Sequence, residues 1–320
     1  MGIDCTDLST DSLVKYKTLP TWSETTLPKT FQTKHNTKAG TWGKITIEAG
    51  QLQYESLDEA GAVLATTVLT PDHCDFLIAP GVWHRVEPLG EVQCFVEFYC
   101  QPQDYFQKKH QVAAPHRDVK QLMEGALSGH FLAGYSLADY SDLNILDLGC
   151  GKGRNATYLY ALNHRVTALD KNVSSIAALQ EIIRVEKATE RFQAHCYDIE
   201  PADINSAALC DRTHPKEPYD LIISTVVFQF LRPESISAVI ADMQAHTKEG
   251  GHHFIIAPVS SSASPCPINF PSTFAPQELK NYYAHWQVLS YQEQPGTFHR
   301  KDSNGQPIQA VFATLLARKR

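Results

Sequence analysis

The chain has 320 residues, 43% of them hydrophobic, and a formal net charge of −7. That length accommodates two domains of about 100–200 residues each. The acidic balance argues against nucleic acid or an anionic membrane as partner. No run approaches the roughly 18 apolar residues of a membrane span, and a polar opening with Asp4 and Asp7 excludes a secretory signal pattern.

The eight cysteines are scattered, without a C-x-x-C pair or zinc-ligand spacing, and read as reduced, mostly buried thiols. A soluble, cytoplasmic protein without a bound metal is expected. Met1-Gly2 followed by Thr6 fits the loose myristoylation pattern. No basic cluster stands nearby to supply a second anchor, so membrane attachment is not expected.

Residues 1–100 carry short β-rich runs at even spacing, over 42–47, 50–55, 62–69, 75–78 and 92–99, broken by turn residues. That pattern predicts an all-β sandwich or barrel. The turn Pro80-Gly81-Val82-Trp83-His84 is similar to the second half of a cupin motif, but His35 and His73 stand alone, without the His-x-His of a metal-binding cupin. Residues 101–141 read as a helical connector, with Tyr105, His116 and an apolar spacing at Val119, Leu122 and Met123. Such a segment either covers a neighbouring ligand mouth or packs as a plain linker helix.

From residue 142 onward, strands and helices alternate. Asn144-Ile145-Leu146-Asp147-Leu148 is a buried strand that breaks into Gly149-Cys150-Gly151-Lys152-Gly153 and then enters a helix through Arg154 and Asn155. Glycine between strand and helix lets a ligand approach the backbone, beside the free N–H groups of the helix start. A second strand ends at Asp170, about 20 residues on, where a carboxylate grips a ribose diol. Dinucleotide enzymes write the loop as G-x-G-x-x-G; here it is G-x-G-x-G with an acid just ahead, which resembles the first motif of S-adenosylmethionine (SAM) methyltransferases.

A helix over 173–189 and a strand over 192–197 follow, then Asp198-Ile199, where a methyltransferase of that kind holds adenine between an acid and an apolar side chain. Residues 201–218 read as a loop, 219–224 as the fourth strand, Pro233 to Gly250-Gly251 as a helix, and 252–257 as the fifth strand. A helix over 276–285 and two closing strands, 287–293 and 310–317, complete an open α/β sheet with an antiparallel last strand. In such a sheet the glycine loop, Asp170, Asp198 and Ser224 are expected to converge at the carboxyl ends of the strands.

Asp147 through Asn155, Asp170-Lys171-Asn172, Tyr219-Asp220, Ser224-Thr225-Val226-Val227-Phe228 and the tail from Phe312 to Arg320 together resemble the TehB family of tellurite-resistance methyltransferases. The likeness runs from Tyr105 to the end, through Pro265-Cys266-Pro267 and His299-Arg300-Lys301-Asp302. The leading β domain resembles the cupin-like domain fused ahead of the longer members. The expected fold is therefore a Rossmann-like class I SAM methyltransferase preceded by an all-β cupin-like domain. The resemblance implies methyl transfer to tellurite, and to selenium oxyanions. It implies cofactor contacts from Asp147, Gly149, Gly151, Arg154, Asn155, Asp170, Asp198, Ile199 and Thr225, and an active-site pair of His299 and Arg300. Pro307 departs from the pattern, since some relatives place a basic residue there.

Read without the family, a His-Arg pair on a loop is ordinary surface chemistry. Three other functions stay open on the residues: methylation of small organic thiols or selenols, thiol capture of a metalloid through Cys150 and Cys266, and a SAM-binding regulator. A homodimer is compatible with the sequence.

Overall fold

The computed structural model describes residues 10–73, 76–125, 130–132, 134–200 and 218–320. The myristoylation pattern at Gly2, nearly all of the loop expected over 201–218, and the side chains of His73 and His299 lie outside the described residues. The chain divides into two compact units, Met1–Gln111 and Val112–Arg320.

The first unit is one antiparallel sheet. Its strands are β1 (Val14–Thr18), β2 (Trp22–Ser23), β3 (His35–Asn36), β4 (Trp42–Leu57), β5 (Val63–Leu69), β6 (Phe76–Ile78) and β7 (Trp83–Cys100). They run in the order β1-β7-β4-β5, with β2 and β3 also on β7 and β6 on β4. The runs expected separately over 42–47 and 50–55 are a single strand. The apparent break at Ala49-Gly50 is a bulge, where the register to β7 shifts twice between Ile47 and Leu52. Bulges bend and twist a long strand, so both strands curl around a core of Leu27, Ile45, Leu52, Val86 and Val92. A short helix α1 (Lys29–Gln32) and α2 (Tyr105–His110) complete the unit.

The second unit opens on α3 (Arg117–Glu124). The connector expected over 101–141 is thus divided: α2 belongs to the first unit and α3 to the second. Val119, Leu122 and Met123 are at most 3% exposed and belong to one face of the second unit's core. Burial of that apolar stripe is what fixes α3 there.

Seven strands follow, interleaved with helices: β8 (Asn144–Leu148), α4 (Arg154–Ala161), β9 (Arg165–Asp170), α5 (Val173–Val185), β10 (Phe192–Cys196), β11 (Tyr219–Thr225), α6 (Ile236–Ala245), β12 (Thr247–Val259), α7 (Glu278–Asn281), β13 (Gln287–Lys301) and β14 (Pro307–Arg318). Their order is β10-β9-β8-β11-β12-β14-β13. The first five are parallel, and β14 and β13 are antiparallel. Because successive strand residues face opposite ways, Ile145, Leu221 and Phe254 join α3, α4 and α5 on one face. Leu146, Ile222 and Ile255 join α6 and α7 on the other.

Two further expectations are corrected. Gly250-Gly251 does not end a helix: α6 stops at Ala245, and the glycines lie inside β12, where the register against β11 skips between Thr247 and His252. The helix expected over 276–285 is the single turn α7; beyond it Tyr283 and Trp286 are core residues, 0% and 8% exposed. No helix among the described residues is long and apolar enough to cross a membrane.

Candidate active site

The sheet order reverses between β8 and β11, and ligands in open α/β sheets sit outside the carboxyl ends at such a switch point. The loop after β8 is held there by backbone bonds: Gly149 and Cys150 donate N–H groups to Leu169 O, both at 2.8 Å. Gly149 has φ +74°, and a Cβ on it would lie 2.3 Å from the Val227 side chain. Gly151 has φ +55°, yet nothing lies within 4 Å of where its Cβ would be. One glycine is therefore required by packing, while the other leaves open space over the loop.

Asp147 is 1% exposed, and neither carboxylate oxygen has a hydrogen-bond partner of ordinary geometry among the described residues. Burial pushes its carboxyl up to about 7; the Arg154 guanidinium and the Ala156 N–H oppose that shift, and Asp170 adds to it. A buried carboxylate so poorly partnered is strongly disfavoured, so a further cation or donor would be favourable there.

Asp170 ends β9. Its Oδ2 accepts from Gly151 N–H and its Oδ1 from Asn172 N–H, each at 2.8 Å. Each oxygen keeps accepting capacity for a further donor. Asp170 pairs in register with Cys196, which brings the end of β10 beside it. Just beyond, Asp198 is exposed and Ile199 is 8% exposed. An acidic group and an apolar side chain thus follow the diol-type carboxylate along the same edge.

Asn155 and Thr225 meet each other. The Asn155 amide, 2% exposed, donates to Thr225 Oγ1 at 3.1 Å and accepts from His116 N–H at 2.8 Å. It ties the start of α4 to the end of β11 and to the segment leading into α3. Ser224, one residue earlier, has a fully buried hydroxyl with no partner among the described residues. The Tyr219-Asp220 pair belongs to the opposite edge, where Asp220 accepts from Asn144 N–H at 2.8 Å and from Lys248 Nζ at 3.0 Å.

His299 and Arg300 do not lie on a loop. The strands expected to stop near 293 and start near 310 continue, pairing as far as Lys301 with Pro307. Asp302 closes the hairpin, its Oδ1 accepting from the N–H groups of Asn304 and Gln306, both at 2.8 Å. Between Thr297–Gln309 and Lys301–Pro307 the register shifts, leaving Phe298, His299 and Arg300 opposite Ile308 alone. Such a bulge re-aims side chains at sheet rims. Val259 at the end of β12 matches Val311, and Val311 matches Pro295. The six residues beyond Pro295, as far as Lys301, therefore carry β13 about 20 Å past the carboxyl edge. Arg300 is exposed there, without an ion pair among the described residues.

Two features were not anticipated. Phe298, on the bulge, lies 5.3 Å from Phe270, which lies 5.6 Å from Phe230 beyond β11. These rings link the hairpin to the strand beside the glycine loop, and Phe230 is 53% exposed. Only the repeated aromatics in Phe228-Gln229-Phe230 hint at this in the sequence. Val226 has φ +62°, a strained value for a β-branched residue. Its N–H donates to Ile256 O at 2.8 Å and its carbonyl accepts from Gln229 Nε2 at 2.7 Å, so the strained turn is held on both sides.

The TehB family, described as tellurite resistance protein TehB, matches residues 98–316. The chain belongs to that family. A TehB-like domain matches residues 17–96 as well. The chain is 41% identical over 311 residues to a Haemophilus influenzae protein named probable S-adenosyl-L-methionine-dependent methyltransferase TehB, covering 97% of this chain and 99% of that one. It is 36% identical to a protein named hemagglutinin 1 from Eikenella corrodens, over 82% of this chain and 79% of that protein. The crystal structure of TehB from Haemophilus influenzae superposes with a TM-score of 0.80 at 40% identity, over 98% of this chain and all of that one. The fold is thus a SAM-methyltransferase α/β sheet with an all-β unit ahead of it.

The Cys150 thiol is poorly suited to holding a metalloid. Cys150 is 6% exposed, and desolvation, reinforced by Asp147 and Asp170, pushes its thiol far above the ordinary range. A thiol so suppressed is a poor nucleophile and a poor metalloid ligand. Among the described residues no group of three or more His, Cys, Asp or Glu side chains is arranged to hold a metal ion.

Proposed function

We propose that this protein transfers the SAM methyl group to tellurite, and by the same chemistry to selenium oxyanions, so conferring tellurite resistance. As a TehB-family protein it is a SAM-dependent methyltransferase. The observation that carries the finer reading is a shared edge. The glycine loop with its buried Asp147 and the bulge bearing His299 and Arg300 both stand at the carboxyl ends of one sheet.

The residues present fit the cofactor. Asp147 gives a buried countercharge for a cationic ligand, and the space at Gly151 admits one to the backbone. Asp170 retains accepting capacity for a ribose diol, and Asp198 with Ile199 frames an adenine. Gly149 shapes the loop, Arg154 favours the ionised form of Asp147, and Asn155 with Thr225 fixes the pocket wall. When bound, SAM supplies an electrophilic methyl group on a sulfonium.

The rest of the chemistry is positioning. A tellurite chalcogen has its own lone pair, so no strong general base is required. Arg300, planar and always charged, holds an oxyanion by paired N–H donors, and His299 adds a further donor. The rings of Phe230, Phe270 and Phe298 keep water from that anion and leave its lone pair available for in-line attack.

The same rings favour a second reading, in which the acceptor is a softer, less charged organic thiol or selenol. The test is turnover of the full chain with SAM plus tellurite, selenite or an organic thiol, alongside Arg300→Ala. Methylated tellurium that disappears in the variant while SAM binding persists supports the oxyanion reading. Thiol methylation without tellurite turnover sinks it. Tight SAM binding with no product from any acceptor points to a regulator.

A further inference from the structure

The all-β unit encloses space that the methyltransferase chemistry does not use. Its curled sheet surrounds a cavity of about 760 Å³, within the range of small-molecule sites. Leu27, Ile45, Leu52, Ile78 and Val86, all buried, form much of its wall, with the rings of Trp22 and Phe31 beside them. A core normally fills such space with side chains; here it stays open.

Besides the neutral side chains of Tyr16, Asn36, Thr37, Thr41, Gln107 and Gln111, the polar groups in the cavity are of two kinds. His35 and His84 face each other across β3 and β7, with ring centroids 4.1 Å apart. Each Nδ1 bonds to a backbone carbonyl two residues earlier, His35 to Thr33 O at 2.9 Å and His84 to Val82 O at 2.8 Å. A carbonyl only accepts, so both Nδ1 atoms carry the proton and both Nε2 atoms are lone-pair acceptors. Among the described residues neither Nε2 has a hydrogen-bond partner, and His84 is 3% exposed. Burial lowers both pKa values, that of His84 to about 4, so the pair is neutral at physiological pH.

The second kind is cationic. Lys17, Lys38 and Lys108 line the cavity, and no Asp or Glu does. Lys17 and Lys38 are exposed and so stand at the mouth, whereas Lys108 is tied back to Ala39 O and to Thr41 Oγ1. An apolar interior beneath a mouth whose charged lining side chains are all cationic selects an occupant with an apolar body and one anionic end.

We infer that the cavity of the N-terminal β unit binds an amphipathic organic carboxylate, its head at Lys17 and Lys38 and its apolar body against Trp22, Phe31 and the His35–His84 pair. An inorganic oxyanion meets the wrong chemistry here, since it has nothing to bury against the aliphatic wall and finds only acceptors at the two imidazoles. The site is separate from the sheet edge described above and does not depend on the methyl-transfer reading.

The test uses the full chain and a series from acetate through hexanoate to decanoate, with decanol as comparator, followed by calorimetry and intrinsic tryptophan fluorescence. Carboxylate binding is expected to saturate at one per chain below the micellar range, strengthening about fourfold for each methylene added. Decanol is expected to bind at least tenfold more weakly than decanoate. The double variant Lys17→Ala/Lys38→Ala, changed only at exposed positions, is expected to lose that advantage while binding decanol as before. Acetate binding as tightly as decanoate overturns the proposal, as does an unchanged double variant or a carboxylate series that never saturates.

Discussion

Each unit buries histidine, and the two do it differently. In the α/β unit His253 is 0% exposed and both of its ring nitrogens are matched. Thr247 Oγ1 donates to Met243 O at 2.7 Å, so it must accept from His253 Nε2–H, also at 2.7 Å. Tyr283 O–H then donates to His253 Nδ1 at 2.7 Å. In the β unit the rings of His35 and His84 are fixed equally well by Nδ1–H bonds, yet both Nε2 atoms face a cavity without a partner. Desolvation depresses the pKa in both places, to about 3 for His253 and about 4 for His84. A shifted pKa therefore does not separate a structural histidine from one poised for a ligand; the unmatched lone pair does. Asp147 belongs with the second kind, as a buried group whose oxygens have no hydrogen-bond partner of ordinary geometry among the described residues.

The comparison can be broken first at the glycine loop. Gly149→Ala puts a Cβ 2.3 Å from Val227 at φ +74°, so a loss of about 3 kcal/mol in stability and abolished SAM binding are expected, by chemical denaturation and calorimetry. Asp147→Asn sharpens it. With its carboxyl raised to about 7, the ligand-free protein bears a penalty that is absent below pH 3.8 and complete above about 7. The asparagine variant should therefore be more stable than the parent at pH 8, by on the order of 3 kcal/mol, while SAM affinity falls about 100-fold. Equal or lower stability at pH 8 would remove Asp147 from the ligand-ready class.

Acid tests the histidines. Both His84 and His253 have folded pKa values below the unfolded 6.5, so their neutral forms contribute stability that is complete above pH 6.5. It is lost as pH falls toward about 4 for His84 and about 3 for His253, on the order of 3 kcal/mol for His84. His84→Gln should flatten that part of the pH–stability curve in urea melts; an unchanged slope would assign it elsewhere. Arg300→Ala is expected to lower turnover on oxyanions about 100-fold with SAM affinity unaltered, and Arg300→Lys to recover part of it. The smallest effect is at Val226, where φ is +62°. Val226→Asn should relieve strain of about 1 kcal/mol, and a drop in turnover at higher stability would mark that strain as part of the site.

Most of the α/β unit was legible because its signals are local. Buried strands announce themselves as Ile145-Leu146 or Leu221-Ile222-Ile223, and the glycine loop with Asp147 and Asp170 is a contiguous motif whose backbone needs dictate its residues. The His299–Arg300 bulge was hidden, since its extra residues are defined only against the partner strand, and Asp302 to Pro307 reads equally well as a long loop or a hairpin tip. Gly50 misled in the same way: glycine marks both a turn and a bulge, and pairing with β7 decides between them.

By itself the sequence determined the alternation of strand and helix, the SAM-type loop and its two acids, and the division into a β-rich leader and an α/β body, because each rests on side-chain periodicity or on backbone freedom within a few residues. Only the tertiary structure decided that Asn155 locks onto Thr225, that Phe230, Phe270 and Phe298 wall one edge, and that His35 and His84 stand together over an open cavity. Those are meetings of residues tens of positions apart, and nothing local in a chain records which lone pair is left without a donor.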